Sequence, residues 1–277
     1  DVAVAVKLQA AFYEGYGPPG LAALWATAAY ARETGLLVIL DAKRGDVPET
    51  ARAYAAAYLG RVDGPDGPLP GFPCDALTVS PYTGPDGLEP FVEACRAGGG
   101  EKGIFVLVRT SNPQAGRLQD LALAAARPAR GSVTGAERGG APAVETVAGT
   151  VAAWVAGWNA RLKDASGYGP VGAVVGATRP DQLAVLRAAL PATWLLVPGF
   201  GAQGGTAAGV AAAFDGRGHG ALVSASRSVI FAYRAGARHP GSGGGEEDWQ
   251  AAVRAAAEAM RRAVNEAIAA RGRSENA

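Results

Sequence analysis

The chain has 277 residues, of which 49% are apolar, and its formal net charge is +1. This balance provides no general positive field that would attract nucleic acid, so we expect any anion to be recognised by a local site. Apolar runs are interrupted by Gly, Pro or charged residues well before the roughly 20 residues of a membrane-spanning helix, so no membrane partner is expected.

Short apolar runs alternate with longer Ala-rich stretches of helical spacing. In chain order, the runs that predict strands are Val2–Lys7, Leu36–Asp41, Ala76–Ser80, Ile104–Val108, Gly172–Ala177, Trp194–Val197 and Ala221–Ser224. The stretches that predict helices include Leu21–Thr34, Pro48–Leu59, Leu88–Arg96 and Val144–Leu162. This alternation predicts parallel strands with helical crossovers in a single domain over 1–277.

Polar residues at the C-terminal ends of the predicted strands distinguish an open sheet from a barrel. They are Lys7, Asp41 with Lys43, Ser80, Thr110 with Ser111, Thr178, Gln203 and Arg227. An open sheet concentrates ligand contacts at one switch point, whereas a closed barrel gathers all strand ends around one mouth. The sequence therefore predicts a TIM (β/α)8 barrel whose first strand lies upstream of Asp1, since the chain starts inside a strand-like run.

Two further segments complete the predicted domain. Residues 114–143 are rich in Gly, Ala, Arg and Pro with weak periodicity, which predicts a variable surface excursion. Residues 246–271 have an acidic start and a basic end, which suits the helix dipole and predicts a closing C-terminal helix.

The cysteine content bears on metal binding and on the compartment. Cys74 and Cys95 are the only cysteines, and with His219 and His239 they offer no zinc-ligand spacing. We interpret them as reduced thiols of a cytoplasmic protein, and we expect no metal site.

The densest group of chemically active residues follows the second predicted strand, in Asp41-Ala-Lys43-Arg-Gly-Asp46. Side chains at i and i+2 of a strand share a face, so Asp41 and Lys43 should both project into the barrel mouth. Gly45 permits a sharp turn that brings Asp46 forward, and Lys7 should neighbour Asp41 across the sheet. Burying such charges costs several kcal/mol per ion before pairing compensates for it. We therefore favour a catalytic cluster over a structural salt bridge at the rim.

A second group follows the last two predicted strands. Glycines surround Gln203, and we expect Gly204 and Gly205 to open a helix and to expose backbone N–H groups. Arg227 follows the final strand. Barrel enzymes commonly bind phosphate after their seventh and eighth strands, so the two features together favour a phosphate site over an ordinary turn and a surface arginine.

The spacing Asp41-x-Lys43-x-x-Asp46, with Thr50 four residues later, resembles the signature of the orotidine 5'-monophosphate decarboxylases. The residues Asp41-Ala-Lys-Arg-Gly-Asp46 are similar to those of the bacterial type 2 branch of this family. The resemblance continues in order through Lys7–Glu14, Thr78–Tyr82, Thr110–Pro113, Val175–Thr178, Pro198–Gly205 and Ser226–Arg227. It covers the chain except the excursion and the terminal tail. Two departures are Leu8, where the branch usually has Pro, and the absence of the ribose-contacting Asp that the family places at the end of its first strand.

The resemblance implies decarboxylation of orotidine 5'-monophosphate to uridine 5'-monophosphate in de novo pyrimidine biosynthesis, without a cofactor. It implies that Lys43 donates a proton to C6, that Asp41 lies against the departing carboxylate, and that Lys7 holds Asp41 and a ribose hydroxyl. It also implies a homodimer in which Asp46 and Thr50 reach the site of the other subunit. The implied substrate-binding residues are Thr50, Ser111 on the pyrimidine amide, Pro198, Gly204, Ser226, and Gln203 with Arg227 on the phosphate.

Two alternatives stay open at this point. The first is a Mg-dependent decarboxylase or epimerase of sugar phosphates that shares the Asp-x-Lys-x-x-Asp spacing on the same barrel. It needs a further acidic metal ligand near the strand ends, and Gln203 with Ser111 suits a pyrimidine nucleotide better. The second is a non-catalytic nucleotide-binding protein, which the missing first strand suggests.

Overall fold

The computed structural model describes residues 2–99, 101–123, 146–236 and 246–275. Seven of its strands form one parallel sheet in the order β1-β2-β5-β6-β7-β8-β9, and β3 pairs with β4 in a separate antiparallel hairpin. The strands are Ala5–Gln9 (β1), Leu37–Arg44 (β2), Arg61–Gly64 (β3), Gly67–Pro70 (β4), Ala76–Val79 (β5), Gly103–Arg109 (β6), Val171–Val175 (β7), Leu195–Pro198 (β8) and Ala221–Ser224 (β9).

Helices lie between successive strands of the main sheet, and three further helices of the described residues follow its last strand. They are Ala10–Glu14 (α1), Gly17–Glu33 (α2), Pro48–Leu59 (α3), Pro85–Ala97 (α4), Gly116–Gln119 (α5), Val147–Leu162 (α6), Pro180–Ala189 (α7), Ala207–Ala211 (α8), Arg227–Ile230 (α9), Ala232–Gly236 (α10) and Glu246–Glu275 (α11). None of these helices is both long enough and apolar enough to cross a membrane. The predicted order of strands and crossover helices is confirmed.

The sheet wraps around an interior of its own. Ile39, Phe105 and Leu196 form one buried cluster, and Ala5 of β1 and Leu222 of β9 pack against this same cluster. Because strands at both edges of the sheet contact one interior cluster, the sheet curves into a nearly closed barrel, as predicted. The first strand, predicted upstream of Asp1, would lie outside the described residues and stays a prediction.

Alternate residues of each strand pack outward against the helices. On β2, Val38 and Leu40 belong to the large cluster between sheet and helices, whereas Ile39 faces the barrel interior. Both faces of the sheet are therefore buried, which explains why the strands appear in the sequence as continuous apolar runs.

The predicted surface excursion and the predicted C-terminal helix both lie outside the predicted barrel strands. The predicted excursion contains α5 and is described as far as Leu123, and residues 124–145 lie outside the described part. The closing helix α11 extends four residues beyond the predicted end, and it packs against α8, α9 and α10.

Candidate active site

The carboxylate of Asp41 is the centre of a charged cluster at the C-terminal end of β2. Four apolar residues precede it in the strand, and its own side chain is only 9% exposed. The Lys7 Nζ lies 2.6 Å from Oδ2 and the Lys43 Nζ lies 2.6 Å from Oδ1. One buried carboxylate thus bridges two ammonium groups, and each ammonium occupies a different oxygen.

Strand β1 contributes two side chains to this cluster. Gln9 pairs with Asp41 in the parallel ladder, and Lys7 lies two residues earlier on the same face. The Gln9 Nε2 donates to Asp41 Oδ2 at 3.0 Å. Gln9 was not among the predicted site residues, although its i+2 spacing from Lys7 is the signal that could have identified it.

Ionisation of Asp41 reflects two opposing effects. Burial disfavours the charged form and would raise its pKa, but the charge of Lys7 and hydrogen bonds from Lys43 and Lys7 outweigh this effect. The pKa of Asp41 is therefore held below its usual value, so the group is a carboxylate at neutral pH.

The backbone at Lys43 departs from regular strand geometry. Its φ of +50° is the one positive φ at a non-glycine among the residues that the structure describes. Leu40 pairs with Leu77 and Arg44 pairs with Val79, so three residues of β2 lie opposite the single residue Thr78. This bulge turns the end of the strand just where the Lys43 side chain leaves it.

The turn after the bulge requires a glycine. A Cβ on Gly45 would lie 2.7 Å from the carbonyl oxygen of Ser80, a distance that real side chains do not tolerate. The Ser80 amide in turn donates to the carbonyl of Arg44 at 2.7 Å. The chain therefore passes directly against β5 before α3 begins, and Gly45 permits this approach.

Asp46 and Thr50 do not join the cluster within one chain. The Asp46 Oδ1 accepts a hydrogen bond from the Val47 amide at 2.7 Å, and no ion pair to Asp46 occurs in the described part of the chain. Thr50 is exposed on the first turn of α3. The structure thus brings together Lys7, Asp41 and Lys43 of the predicted charge array, and leaves the fourth member apart.

Ser111 and Gln203 meet on the other side of the mouth, although 92 positions separate them in the sequence. The Ser111 Oγ donates to Gln203 Oε1 at 2.8 Å. A Cβ on Gly176 would lie 2.8 Å from Ser111, and a Cβ on Gly199 would lie 3.2 Å from it. Glycines after β7 and β8 thus make room for the serine that follows β6.

The backbone around Ser111 is anchored from behind. Arg109 is buried, and its Nε and one terminal nitrogen donate to the two carboxylate oxygens of Asp120 at 2.8 and 3.0 Å. The Thr110 amide donates to Gln119 Oε1 at 2.9 Å. The segment after β6 is therefore fixed through its own side chains, and this part of the site was not predicted.

The Gly-rich loop after β8 corrects one prediction. Gly204 and Gly205 do not open a helix, because α8 begins at Ala207 with the Thr206 side chain capping its first turn. The amides of Gly204 and Gly205 donate to carbonyls within the loop, so they are not exposed donors. The loop's own carbonyls therefore accept hydrogen bonds from the backbone amides that the sequence analysis expected to be exposed to a ligand.

The loops after β8 and β9 nevertheless lie side by side. A Cβ on Gly201 would lie 3.0 Å from the Ser228 Oγ of α9. Ser226 and Arg227 are exposed at the start of that helix, and Gln203 is exposed in the neighbouring loop. Pro198 ends β8, and its carbonyl accepts from the Ala177 amide at 2.8 Å. The predicted phosphate-binding residues thus flank one region of the mouth.

Two observations concern other candidate sites. Within the described ranges, no group of three or more His, Cys, Asp or Glu side chains is arranged to hold a metal ion. A cavity of about 620 Å³ lies at the opposite end of the barrel, where Asp75, Lys102 and Trp194 contribute to its lining. This cavity contains none of the residues of the Asp41 cluster.

The Asp41 cluster has the form of a preorganised electrostatic site. Lys7 is 17% exposed, whereas Lys43 is 44% exposed and faces the open mouth. An ammonium held in place beside a bound molecule can stabilise negative charge that develops there and can then transfer a proton.

Comparison with known proteins places the whole barrel in one group. Residues 1–237 match the family model described as "Orotidine 5'-phosphate decarboxylase / HUMPS family". A relative named orotidine 5'-phosphate decarboxylase from Rhodopirellula baltica is 50% identical over 254 residues, which cover 91% of this chain and 74% of the relative. A protein of the same name from Deinococcus radiodurans is 43% identical over 83% of this chain and 72% of its own length.

A solved structure extends the similarity to three dimensions. The structure of Leishmania donovani OMP decarboxylase superposes with a TM-score of 0.65 at 30% sequence identity. The match covers 96% of this chain and 82% of that one. The predicted barrel is therefore also the fold of this solved structure.

Proposed function

Because the chain belongs to the orotidine 5'-phosphate decarboxylase / HUMPS family, we propose that it decarboxylates orotidine 5'-monophosphate to uridine 5'-monophosphate in pyrimidine biosynthesis. The observation that carries this proposal is the arrangement of Lys7, Asp41 and Lys43, with both ammonium groups 2.6 Å from one carboxylate. The relatives named orotidine 5'-phosphate decarboxylase support the choice of substrate.

The chemistry follows from the charge that the reaction creates. The bond between C6 and the carboxylate carbon breaks, its electron pair stays on C6, and carbon dioxide leaves. The Lys43 ammonium stabilises this carbanion as it forms and then transfers a proton to C6, leaving a neutral amine that water reprotonates. No metal and no cofactor takes part in the proposed steps.

The two neighbours of Lys43 have distinct roles in this scheme. Asp41 holds the ammonium by its Oδ1 atom and lies against the departing carboxylate. Lys7 neutralises the second oxygen of Asp41 and binds a ribose hydroxyl. Since Asp41 is ionised at neutral pH, both ammonium groups have a fixed counter-charge before substrate binds.

Substrate binding is assigned to the loops on the other side of the mouth. Ser111 forms a hydrogen bond with the pyrimidine amide, and Gln203 and Arg227 bind the phosphate. Pro198, Gly204 and Ser226 are the other proposed substrate-binding residues. The direct hydrogen bond between Ser111 and Gln203 supports a connection between pyrimidine and phosphate recognition. Binding energy from the remote phosphate can then be used to position the reacting ring, so losing the phosphate contacts lowers turnover as well as affinity.

We further propose that the enzyme is a homodimer in which Asp46 and Thr50 complete the site of the other subunit. Asp46 makes no ion pair with the lysines of its own described chain. Large apolar side chains are also exposed beside it, with Val47 at 55% and Tyr82 at 85% exposure. A second copy of the chain would cover this surface and supply the missing carboxylate.

Mixing two inactive variants tests the shared site. Lys43→Ala and Asp46→Ala are each expected to be inactive, but their heterodimer contains one site with both residues intact. After subunit exchange, an equal mixture should therefore recover about a quarter of the wild-type activity, because statistical pairing makes half of the dimers mixed. Absence of any recovery, with heterodimers present by mass spectrometry, would show that Asp46 acts within its own chain.

The proposed reaction is tested by ultraviolet absorbance of orotidine 5'-monophosphate with purified, metal-stripped protein. We expect loss of the substrate spectrum and release of one carbon dioxide per nucleotide, unchanged by EDTA. Activity that appears only when Mg²⁺ is added back would favour the metal-dependent branch, and nucleotide binding without turnover would identify a binding protein. We place the reaction in the cytoplasm, which the two free, buried thiols of Cys74 and Cys95 support.

A further inference from the structure

Thr78 connects the two central residues of the charged cluster, although no catalytic role was predicted for it. It lies on β5 with 1% of its surface exposed. Its Oγ accepts a hydrogen bond from the Lys43 amide at 2.9 Å and donates to Asp41 Oδ1 at 3.0 Å. A threonine hydroxyl has one hydrogen to give, so the amide donor and the carboxylate acceptor together determine its orientation.

The first of these bonds stabilises an unfavourable backbone conformation. A left-handed φ is unfavourable for an ordinary L-residue because its Cβ comes close to the following carbonyl oxygen, and the bulge removes the Lys43 amide from the ladder between β2 and β5. Thr78 is the residue opposite the bulge, and its hydroxyl supplies the acceptor that the ladder no longer provides. Without that acceptor, the amide would lose its partner in a part-buried position.

The second bond acts on the partner of the catalytic ammonium. Asp41 Oδ1 receives both the Lys43 ammonium and the Thr78 hydroxyl. The same hydroxyl therefore fixes the backbone from which Lys43 branches and the oxygen that its ammonium contacts. Both ends of the lysine side chain are positioned by one atom.

We propose that Thr78 is a positioning residue that sets the placement of the Lys43 ammonium for proton transfer. This inference rests on the proposed function, because it concerns the same ammonium. Thr78 is fully buried and its hydroxyl is occupied by Asp41 and Lys43, so it acts through these two residues and not by touching the substrate. A displacement of about 1 Å in a catalytic group can cost about 100-fold in rate.

Thr78→Val tests the proposal because valine keeps the shape and removes both hydrogen bonds. We expect kcat to fall by about 100-fold, whereas KM and the affinity for uridine 5'-monophosphate change far less. Thr78→Ser retains the hydroxyl and should recover most of the lost kcat. This division between kcat and KM is a result that a purely structural role would not produce.

Thr193→Val is the matched control. Thr193 is also fully buried, and its hydroxyl accepts from Asn159 Nδ2 at 2.8 Å in a network that includes no residue of the site. We expect this variant to lose thermal stability while retaining wild-type kcat. If Thr78→Val does not fold, Thr78→Ala and Thr78→Ser provide the same comparison of absent and present hydroxyl.

The outcomes separate this inference from the function on which it rests. A wild-type enzyme that does not decarboxylate orotidine 5'-monophosphate refutes the proposed function itself. An active wild type together with a Thr78→Val variant of unchanged kcat refutes the positioning role alone. Equal losses of kcat in Thr78→Val and Thr78→Ser would also overturn it, because the serine keeps the hydroxyl.

Discussion

Replacing Lys7 and Lys43 separately by methionine should separate the ammonium that mainly stabilises the fold from the ammonium that we propose as the proton donor. Methionine is similar in length to lysine and removes the charge without removing the aliphatic stem. Both ammonium groups contact Asp41 at 2.6 Å, but Lys7 is 17% exposed and Lys43 is 44% exposed. We therefore expect the two substitutions to differ in stability even though the broken contacts have the same length.

The magnitudes follow from this difference in exposure. Loss of a hydrogen bond to a charged group in a part-buried site costs about 1.5–3 kcal/mol, which is our expectation for Lys7→Met. Ion pairs open to solvent contribute about 0.2–1 kcal/mol, which is our expectation for Lys43→Met. A difference of about 1.5 kcal/mol corresponds to a Tm difference of about 3–6 °C for a domain of this size.

Thermal and urea unfolding at neutral pH measure the stability, and the ultraviolet assay measures turnover. Lys163→Met is the control, because Lys163 is exposed and makes no ion pair within the described residues. Lys43→Met should be inactive with nearly wild-type stability, whereas Lys7→Met should be clearly less stable. Equal destabilisation by the two variants would contradict the reasoning from exposure.

Three further predictions concern other parts of the site. Because the pKa of Asp41 is lowered by folding, its ionised form stabilises the protein above the unfolded pKa of 3.8, and this contribution is lost as the pH falls through the pKa of the folded state. The wild type should therefore lose stability below pH 3.8 that Asp41→Asn does not lose. Urea unfolding across that range checks this prediction, and parallel curves for the two proteins would contradict it. Arg227→Ala should lower kcat/KM for orotidine 5'-monophosphate but leave turnover of the phosphate-free nucleoside orotidine unchanged, and an equal loss with both substrates would count against a phosphate contact. Asp120→Ala should cost about 1.5–3 kcal/mol in urea unfolding because it leaves the buried Arg109 without its carboxylate, and wild-type stability would show that this pair contributes nothing.

The barrel could be predicted because its strands are buried on both faces. Runs such as Ile104–Val108 and Trp194–Val197 are recognisable as continuous apolar segments, and the observed strands Gly103–Arg109 and Leu195–Pro198 differ by one residue at each end. The hairpin of β3 and β4 was missed because its strands are short and exposed, and contain Gly and Pro. Nothing in the apolar pattern distinguishes such a hairpin from a loop.

The site was predictable where it depends on spacing along one strand, and less so where it depends on register between strands. Asp41 and Lys43 follow from an i, i+2 relation at a strand end. The contacts of Gln9 and Thr78 depend on which residues face each other across β1, β2 and β5, and on the bulge opposite Thr78. A left-handed lysine has no signature in the sequence, so the hydrogen bond that supports it could not be predicted.

The central claim is that the Lys43 ammonium delivers the proton to C6, and the Lys43→Ala variant tests it most directly. Carbon dioxide release from orotidine 5'-monophosphate and calorimetric titration with uridine 5'-monophosphate should be measured on the same preparation. We predict that release of carbon dioxide is abolished while the nucleotide still binds. Substantial turnover by Lys43→Ala would contradict the account.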